Sequence, residues 1–234
     1  MKQVLKKIPF VKKIYQWTKN TLKLYSTQSF SQEGEDLILK RIFERQKKGF
    51  YVDVGAHHPF RFSNTYLFYK KGWRGINLDA MPESMKLFKK YRPRDINLEI
   101  PIGESDRELT YHIFNEPALN TFDASRIQEI LKNPEFTLIK KIQIQIKSLK
   151  DILDQYLPKN QQIDFLSVDV EGLDFEVLKS NDWQKYRPKI LLVESLGGGG
   201  IKEFLHSEVY LFLSSQDYEV FAKTFNTIIL RDKN

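Results

Sequence analysis

Four acidic residues, Asp53, Asp79, Asp169 and Glu194, each stand at the carboxyl end of a short apolar run. Acids so placed can accept hydrogen bonds from ligand hydroxyls or take a proton from one. In mostly parallel α/β sheets, ligands bind beyond the carboxyl ends of the strands, near the point where strand order reverses. The first run, Tyr51-Val52-Asp53-Val54-Gly55, ends in a glycine that permits close backbone approach. A dinucleotide site wants three spaced glycines, so that helix-terminal amides reach a pyrophosphate. Here Ala56-His57-His58-Pro59 follows without a second glycine, and Pro59 has no amide hydrogen to donate. A pyrophosphate cradle is therefore disfavoured, whereas S-adenosylmethionine carries no phosphate and needs only one such glycine. Asp79, 24 residues after Gly55, is placed to accept hydrogen bonds from both hydroxyls of a ribose. The plainer alternative for the pair is a turn glycine and a helix-capping aspartate.

The elements that must position these residues read as alternating strands and helices from residue 50 onward. Residues 50–54, 73–78 and 95–100 are short apolar strands, and Met85, Phe88 and Tyr91 mark a helix between the second and third. Leu109, Tyr111 and Ile113 alternate with polar neighbours, as do Ile142, Ile144 and Ile146, which predicts two half-buried strands. Residues 164–170 form a further strand ending at Asp169-Val170-Glu171-Gly172, with a helix carrying Leu173, Val177 and Leu178 behind it. Residues 189–193 form the next strand, before Glu194. A helical stretch around Ile201, Phe204, Leu205 and Phe212 and two strands near 218–221 and 227–230 close the chain. Successive βα units predict a mostly parallel sheet with right-handed crossovers.

A chain of 234 residues suffices for one α/β domain. The absence of cysteine excludes disulfides, thiolate–zinc sites and cysteine nucleophiles and is compatible with a cytoplasmic protein. No apolar run approaches the ~20 residues of a membrane-spanning helix. Charge is unevenly placed: residues 1–30 hold seven lysines and no acid, so the net +7 belongs to that arm and the rest is neutral. Val4, Ile8, Val11, Tyr15, Thr18 and Leu22 share one helical face. We divide the chain into a basic amphipathic arm, 1–26, and a catalytic domain, 27–234. The arm is expected to pack on its own domain or a second subunit; the alternative is a peripheral position on an anionic membrane face or a partner. It lacks the apolar core and cleavage site of a secretory signal.

With these motifs the chain resembles the FkbM family of S-adenosylmethionine-dependent methyltransferases over about residues 27–230. The resemblance is carried by Ser31-Gln32-Glu33-Gly34-Glu35-Asp36, Val52-Asp53-Val54-Gly55-Ala56 and His58-Pro59-Phe60-Arg61-Phe62-Ser63-Asn64-Thr65. It continues through Gly72-Trp73-Arg74-Gly75-Ile76-Asn77-Leu78-Asp79 and Asp169-Val170-Glu171-Gly172. It implies a Rossmann-like class I fold, α/β with a seven-stranded mostly parallel sheet, its last strand antiparallel and helices on both faces. It also implies O-methylation of sugars or natural products. Two positions depart: His57 stands where many relatives have Asn, and Asp79-Ala80 where Glu-Pro is common.

By this resemblance, Gln32 and Glu35 close over the methionine end of the cofactor, and Asp53, Gly55, His57, Asn64 and Thr65 surround it. Asp79 and Ala80 hold the ribose, Glu99 and Ile100 lie near the adenine, and Asp169 reaches both reactants. Methyl transfer is an in-line displacement governed by positioning, and a base that takes the hydroxyl proton assists it. Asp169 and Glu194 are the first candidates for that base, followed by His206, His57 and His58. Glu171 orients its loop or caps the helix after Gly172. The loops 115–126 and 197–200 are candidate substrate walls, with His58, Asn120, Thr121, Glu171 and Gly198 as contacts and Phe114 and Phe122 as apolar faces. Mg²⁺ between Asp169 and Glu194 is the less favoured addition, and no metal ligand is assigned. The favoured substrate is a carbohydrate hydroxyl on a nucleotide-linked sugar or a capsular or surface polysaccharide. A nucleic-acid methyltransferase using the basic arm and a non-catalytic cofactor-binding protein are the alternatives.

Overall fold

Strands covered on both faces are mostly apolar, and Phe50–Val54 (β1), with Asp53 its one acid, is buried at all five positions. Phe165–Val168 (β6) is buried at all four of its positions. The protein is described here from a computed structural model covering residues 13, 17, 26–104, 107–170, 172–195 and 200–234. Around β1 lie Arg74–Asp79 (β2) and Ile96–Glu99 (β3) on one side. Beyond β6 on the other side are Ile190–Glu194 (β7), Thr227–Asp232 (β9) and Tyr218–Lys223 (β8). The order is β3-β2-β1-β6-β7-β9-β8. All neighbours pair parallel except β9, which runs antiparallel to both β7 and β8. The direction of strand succession reverses between β1 and β6, which makes their carboxyl ends the switch point.

Alternation along β1 sends Phe50, Val52 and Val54 to one face and Tyr51 and Asp53 to the other. The first face packs on Leu149–Tyr156 (α5), Asp174–Lys179 (α6) and Glu208–Ser215 (α8) through Leu149, Ile152, Leu153, Val177, Leu178 and Leu213. The second face packs on Glu35–Ile42 (α1) and Tyr66–Lys70 (α2) through Leu39, Phe43, Phe68 and Trp73. Phe68 and Phe165, fully buried with ring centroids 5.0 Å apart, each contribute about 1.5–3 kcal/mol by burial. Helices α5 and α8 begin with serine caps: Ser148 Oγ accepts from Asp151 N and Ser207 Oγ from Tyr210 N.

Two expected strands belong elsewhere. Glu108–Phe114 (β4) and Leu138–Gln145 (β5) pair antiparallel as a separate two-stranded sheet. Between them run two short 3₁₀ turns, Pro117–Leu119 and Ala124–Arg126, and Ile127–Ile130 (α4). The remaining helices are Met85–Tyr91 (α3) and Ile201–Phe204 (α7), so the helical stretch expected after residue 200 is split in two. Of the basic arm only Lys13, Trp17 and Ser26 are described; all three are exposed and the first two are helical. The rest of its expected face lies outside the described residues. Among the described residues, no helix is long and apolar enough to cross a membrane.

Candidate active site

Strand register brings three of the four acids to one edge of the sheet, with Asp53 two residues short of it on β1. Val54 is level with Leu78 and with Val168, and Val168 is level with Val193. One residue further on stand Gly55, Asp79, Asp169 and Glu194, with Asp169 and Glu194 ending adjacent strands. Two adjoining clefts open there. The larger, with about 840 Å³ of free space including its open mouth, is lined by Gly55, His57, Asp79, Ala80, Ile100, Tyr111 and Phe122, among others. The smaller is lined by Glu33, Glu35, Asn64, Glu194, Asn226 and Thr227. Gln32, Phe62 and Asp169 line both.

The larger cleft fits S-adenosylmethionine by the chemistry of its lining. Asp79 is nearly buried; one carboxylate oxygen accepts from His57 N and the other from Met81 N, each at 2.8 Å. Each oxygen keeps lone pairs for a ribose hydroxyl. Burial pushes the Asp79 pKa up, and the two amide hydrogen bonds hold it back. Ile100, Pro101 and Ile102 form one apolar wall. Tyr111 and Phe122, with ring centroids 4.5 Å apart, add aromatic surface to the same lining, which suits a flat base. Asn120, expected to touch substrate, lines this cleft, where its Oδ1 accepts from Phe114 N.

Asp53 and Thr65 lie behind the cleft. Thr65 Oγ1 donates to Asp53 Oδ2 at 2.8 Å and lies 3.2 Å from Ser63 Oγ. Arg92, fully buried, donates to Ser63 Oγ at 3.4 Å, to Tyr51 Oη at 2.8 Å and, through Nε, to Asp95 at 2.9 Å. Burial raises the Asp53 pKa and the Arg92 charge opposes the rise. This buried chain of hydrogen bonds anchors Ser63 and Thr65 at the end of the loop that starts at His57; within it His57 and Phe62 hold φ of 52° and 55°. Such angles are uncommon for non-glycine residues and gather where surrounding structure enforces them.

Other expected site residues fall as follows. Asn64 lines the smaller cleft and donates to Ser167 Oγ. His58 is half-buried outside the cleft linings, its Nδ1 accepting from Phe60 N and Arg61 N. Thr121 is buried beneath the loop and bridges His112 through the backbone. Phe114 is buried in the small sheet. Glu99 is exposed at the end of β3, while Ile100 beside it faces the cleft. His206 is exposed after α7, its Nδ1 2.7 Å from Lys202 O, and stands apart from both cleft linings. Glu171 and Gly198 lie outside the described residues. Among the described residues no three His, Asp or Glu side chains converge as a metal ion requires.

Among the lining residues to which the sequence assigns no role, three stand out. Phe62, Tyr111 and Asn226 reach the clefts from a strained loop, the small sheet and the β8–β9 turn. Only an exposed aromatic within the motif of residues 58–65 hinted at the first.

Seven strands in this order, with β9 alone antiparallel to its neighbours and helices packed on both faces, form a Rossmann-like class I methyltransferase fold. The family profile described as "Methyltransferase FkbM domain" matches residues 53–220, more than half of the chain, and the chain belongs to that family. Among solved structures, a TehB-like SAM-dependent methyltransferase from Corynebacterium glutamicum is similar at 11% identity and TM-score 0.44, covering 97% of this chain and 100% of that one. A putative type 11 methyltransferase from Sulfolobus solfataricus is similar at 15% identity and TM-score 0.41, covering 88% and 95%. No curated protein matches the chain.

Proposed function

We propose that this methyltransferase moves a methyl group from S-adenosylmethionine to a hydroxyl of a carbohydrate. The observation that carries the reading is the pair of adjoining clefts sharing Gln32, Phe62 and Asp169. One holds the donor and the other admits the acceptor. When bound, the cofactor supplies a methyl group on a cationic sulfur that leaves as a neutral thioether. Asp79 binds the ribose, and the apolar walls bind the base and exclude water from it. Asp169 or Glu194 accepts the hydroxyl proton as the new carbon–oxygen bond forms, leaving a neutral ether. The two ends of adjacent strands hold these carboxylates in fixed relation, so most of the rate comes from positioning.

The carbohydrate class follows from the family resemblance, and the cleft chemistry is consistent with it. The described lining of the smaller cleft is carboxylate, amide and hydroxyl with one aromatic ring, Phe62, a set suited to a polyhydroxyl ligand. Among the described residues no lysine or arginine lines either cleft, which disfavours a nucleic-acid strand held by its phosphates. The seven lysines of the arm favour that second reading. It fails if removing residues 1–25 leaves methyl transfer to a nucleotide-sugar intact. Mg²⁺ is not part of this reading; loss of activity with a chelator and its restoration by Mg²⁺ would add it.

The deciding experiment is calorimetry with S-adenosylhomocysteine, followed by methyl-transfer assays over a panel of nucleotide-sugars and polysaccharides. Wild type that does not bind S-adenosylhomocysteine removes the donor assignment. Binding without transfer to any acceptor would favour a non-catalytic cofactor-binding protein.

A further inference from the structure

The segment leading into α1 and the first turn of that helix hold three acids with different tasks: one serves its own loop and two reach a distant turn. Asp36, fully buried, serves its own loop: it accepts from Ser29 Oγ at 2.7 Å, Phe30 N at 2.8 Å and Ser31 Oγ at 3.1 Å. Glu35, 2% exposed, faces the other way. Its Oε1 accepts from Thr224 Oγ1 at 3.1 Å and Thr227 Oγ1 at 3.2 Å, while its Oε2 accepts from Glu33 N at 2.9 Å. Glu33 Oε2 accepts from Asn226 N at 2.8 Å. The turn between β8 and β9 is thus held by two carboxylates nearly two hundred residues earlier in the chain. Asn226 O in turn accepts from Ser195 N, just after Glu194, at 2.7 Å.

Gln32, one residue before Glu33, lines the donor cleft, and Asn226 and Thr227 line the acceptor cleft. A residue spans at most ~3.3–3.6 Å of chain, and the Glu33 amide is itself bound to Glu35, so little slack separates Gln32 from the clamp. Hydrogen bonds to ionised carboxylates are the stronger kind and hold geometry well.

We propose that Glu33 and Glu35 are positioning residues for methyl transfer: they tie the turn 224–227 to Gln32, so that filling the donor cleft orders the acceptor cleft. The inference rests on the methyltransferase reading above. It assigns the two acids a role on the acceptor side through Asn226, Thr224 and Thr227, where the motif alone placed Glu35 over the cofactor.

Hydrogen exchange read by mass spectrometry tests it without an acceptor, using full-length protein with and without saturating S-adenosylhomocysteine. In wild type, peptides covering 29–36 and 223–228 should both slow by about threefold or more on binding. Glu33 is half-buried, so Glu33→Ala should fold; it should keep protection of 29–36 and lose that of 223–228. Glu33→Gln, which retains an oxygen for the Asn226 amide, should restore the response, as a role in bulk stability alone would not. Thr224→Val/Thr227→Val, nearly isosteric, provides the second variant and should uncouple the turn from the Glu35 side. Protection of 223–228 that survives in both uncoupled variants, or is absent in wild type that binds the ligand, overturns the proposal. Wild type with no ligand binding at all removes the methyltransferase reading and this inference with it.

Discussion

The carbonyl oxygen of Asp169 occupies the space that a Cβ on Gly55 would enter, 1.7 Å from its ideal position. Gly55 therefore serves two ends: a φ of 84° that turns the chain out of β1, and contact between the ends of β1 and β6. Alanine here meets a backbone atom rather than a flexible side chain. The left-handed conformation costs about 1–2 kcal/mol and the overpacking a further ~1–3 kcal/mol. Gly55→Ala should lower the denaturant midpoint and weaken S-adenosylhomocysteine binding at least tenfold. A variant with wild-type stability and affinity would contradict this geometry.

Under the proposed function Asp79 would join ligand binding to loop shape, because the same carboxylate holds the amides of His57 and Met81. Hydrogen bonds to a charged group contribute about 1.5–3 kcal/mol each, or roughly tenfold to a hundredfold in affinity. Asp79→Ala should reduce S-adenosylhomocysteine affinity by at least that factor in calorimetry. Asp79→Asn keeps one acceptor oxygen and should lie between. Equal affinities for wild type and Asp79→Ala would remove the ribose assignment.

Much of this arrangement is legible in the sequence because burial on both faces writes itself as nearly continuous apolar runs. The apolar run Phe50–Val54 has the bounds of the strand itself, and the acids stand at or near the ends of such runs. Periodicity does not name a partner, so the strands at 108–114 and 138–145 could not be assigned to a separate sheet. Short helices such as Tyr66–Lys70 and Ile127–Ile130 offer too few turns to show a pattern. The network behind Asp53 was hidden for another reason. Tyr51, Arg92 and Asp95 meet only after β1 and the end of α3 are brought together, and an isolated buried arginine has no local signature. Glu99 and Ile100 illustrate the finer limit: adjacent positions point apart, and motif order cannot choose between them.

Glu194 and Asp169 separate by the clefts they line: Glu194 belongs to the smaller alone, Asp169 to both. Glu194→Gln should therefore lower kcat while leaving S-adenosylhomocysteine affinity near wild type. Asp169→Asn should lower both. Loss of a general base typically costs about 10²–10⁴-fold in rate. Single-turnover assays on an identified acceptor, paired with calorimetry, distinguish the two. Identical effects on affinity from both variants would deny Glu194 a place confined to the acceptor side.

His57 and His58 give the fold an acid-sensitive edge. Burial, and then the positive charge of Arg61, lower both imidazole pKa values from the usual 6.5. For His58 the geometry adds a cause, since its Nδ1 already accepts two amide hydrogens and protonation there would break both. A group whose folded pKa lies below its unfolded value takes up its proton first in the unfolded chain. The stability held by these neutral rings is therefore complete above about pH 6.5 and declines as pH falls from there toward the folded values. Asp53 and Asp79 act in the opposite sense at lower pH, because burial raises their pKa values and acid then favours the fold. His57→Asn removes the His57 share of this contribution, as asparagine tolerates the left-handed backbone and does not titrate. Melting temperatures taken every half unit from pH 5 to 8 should show wild type falling below 6.5. The variant should follow a flatter course there, parallel to wild type above 7. Profiles that stay parallel across the whole range would show that His57 titrates alike in the folded and unfolded chain.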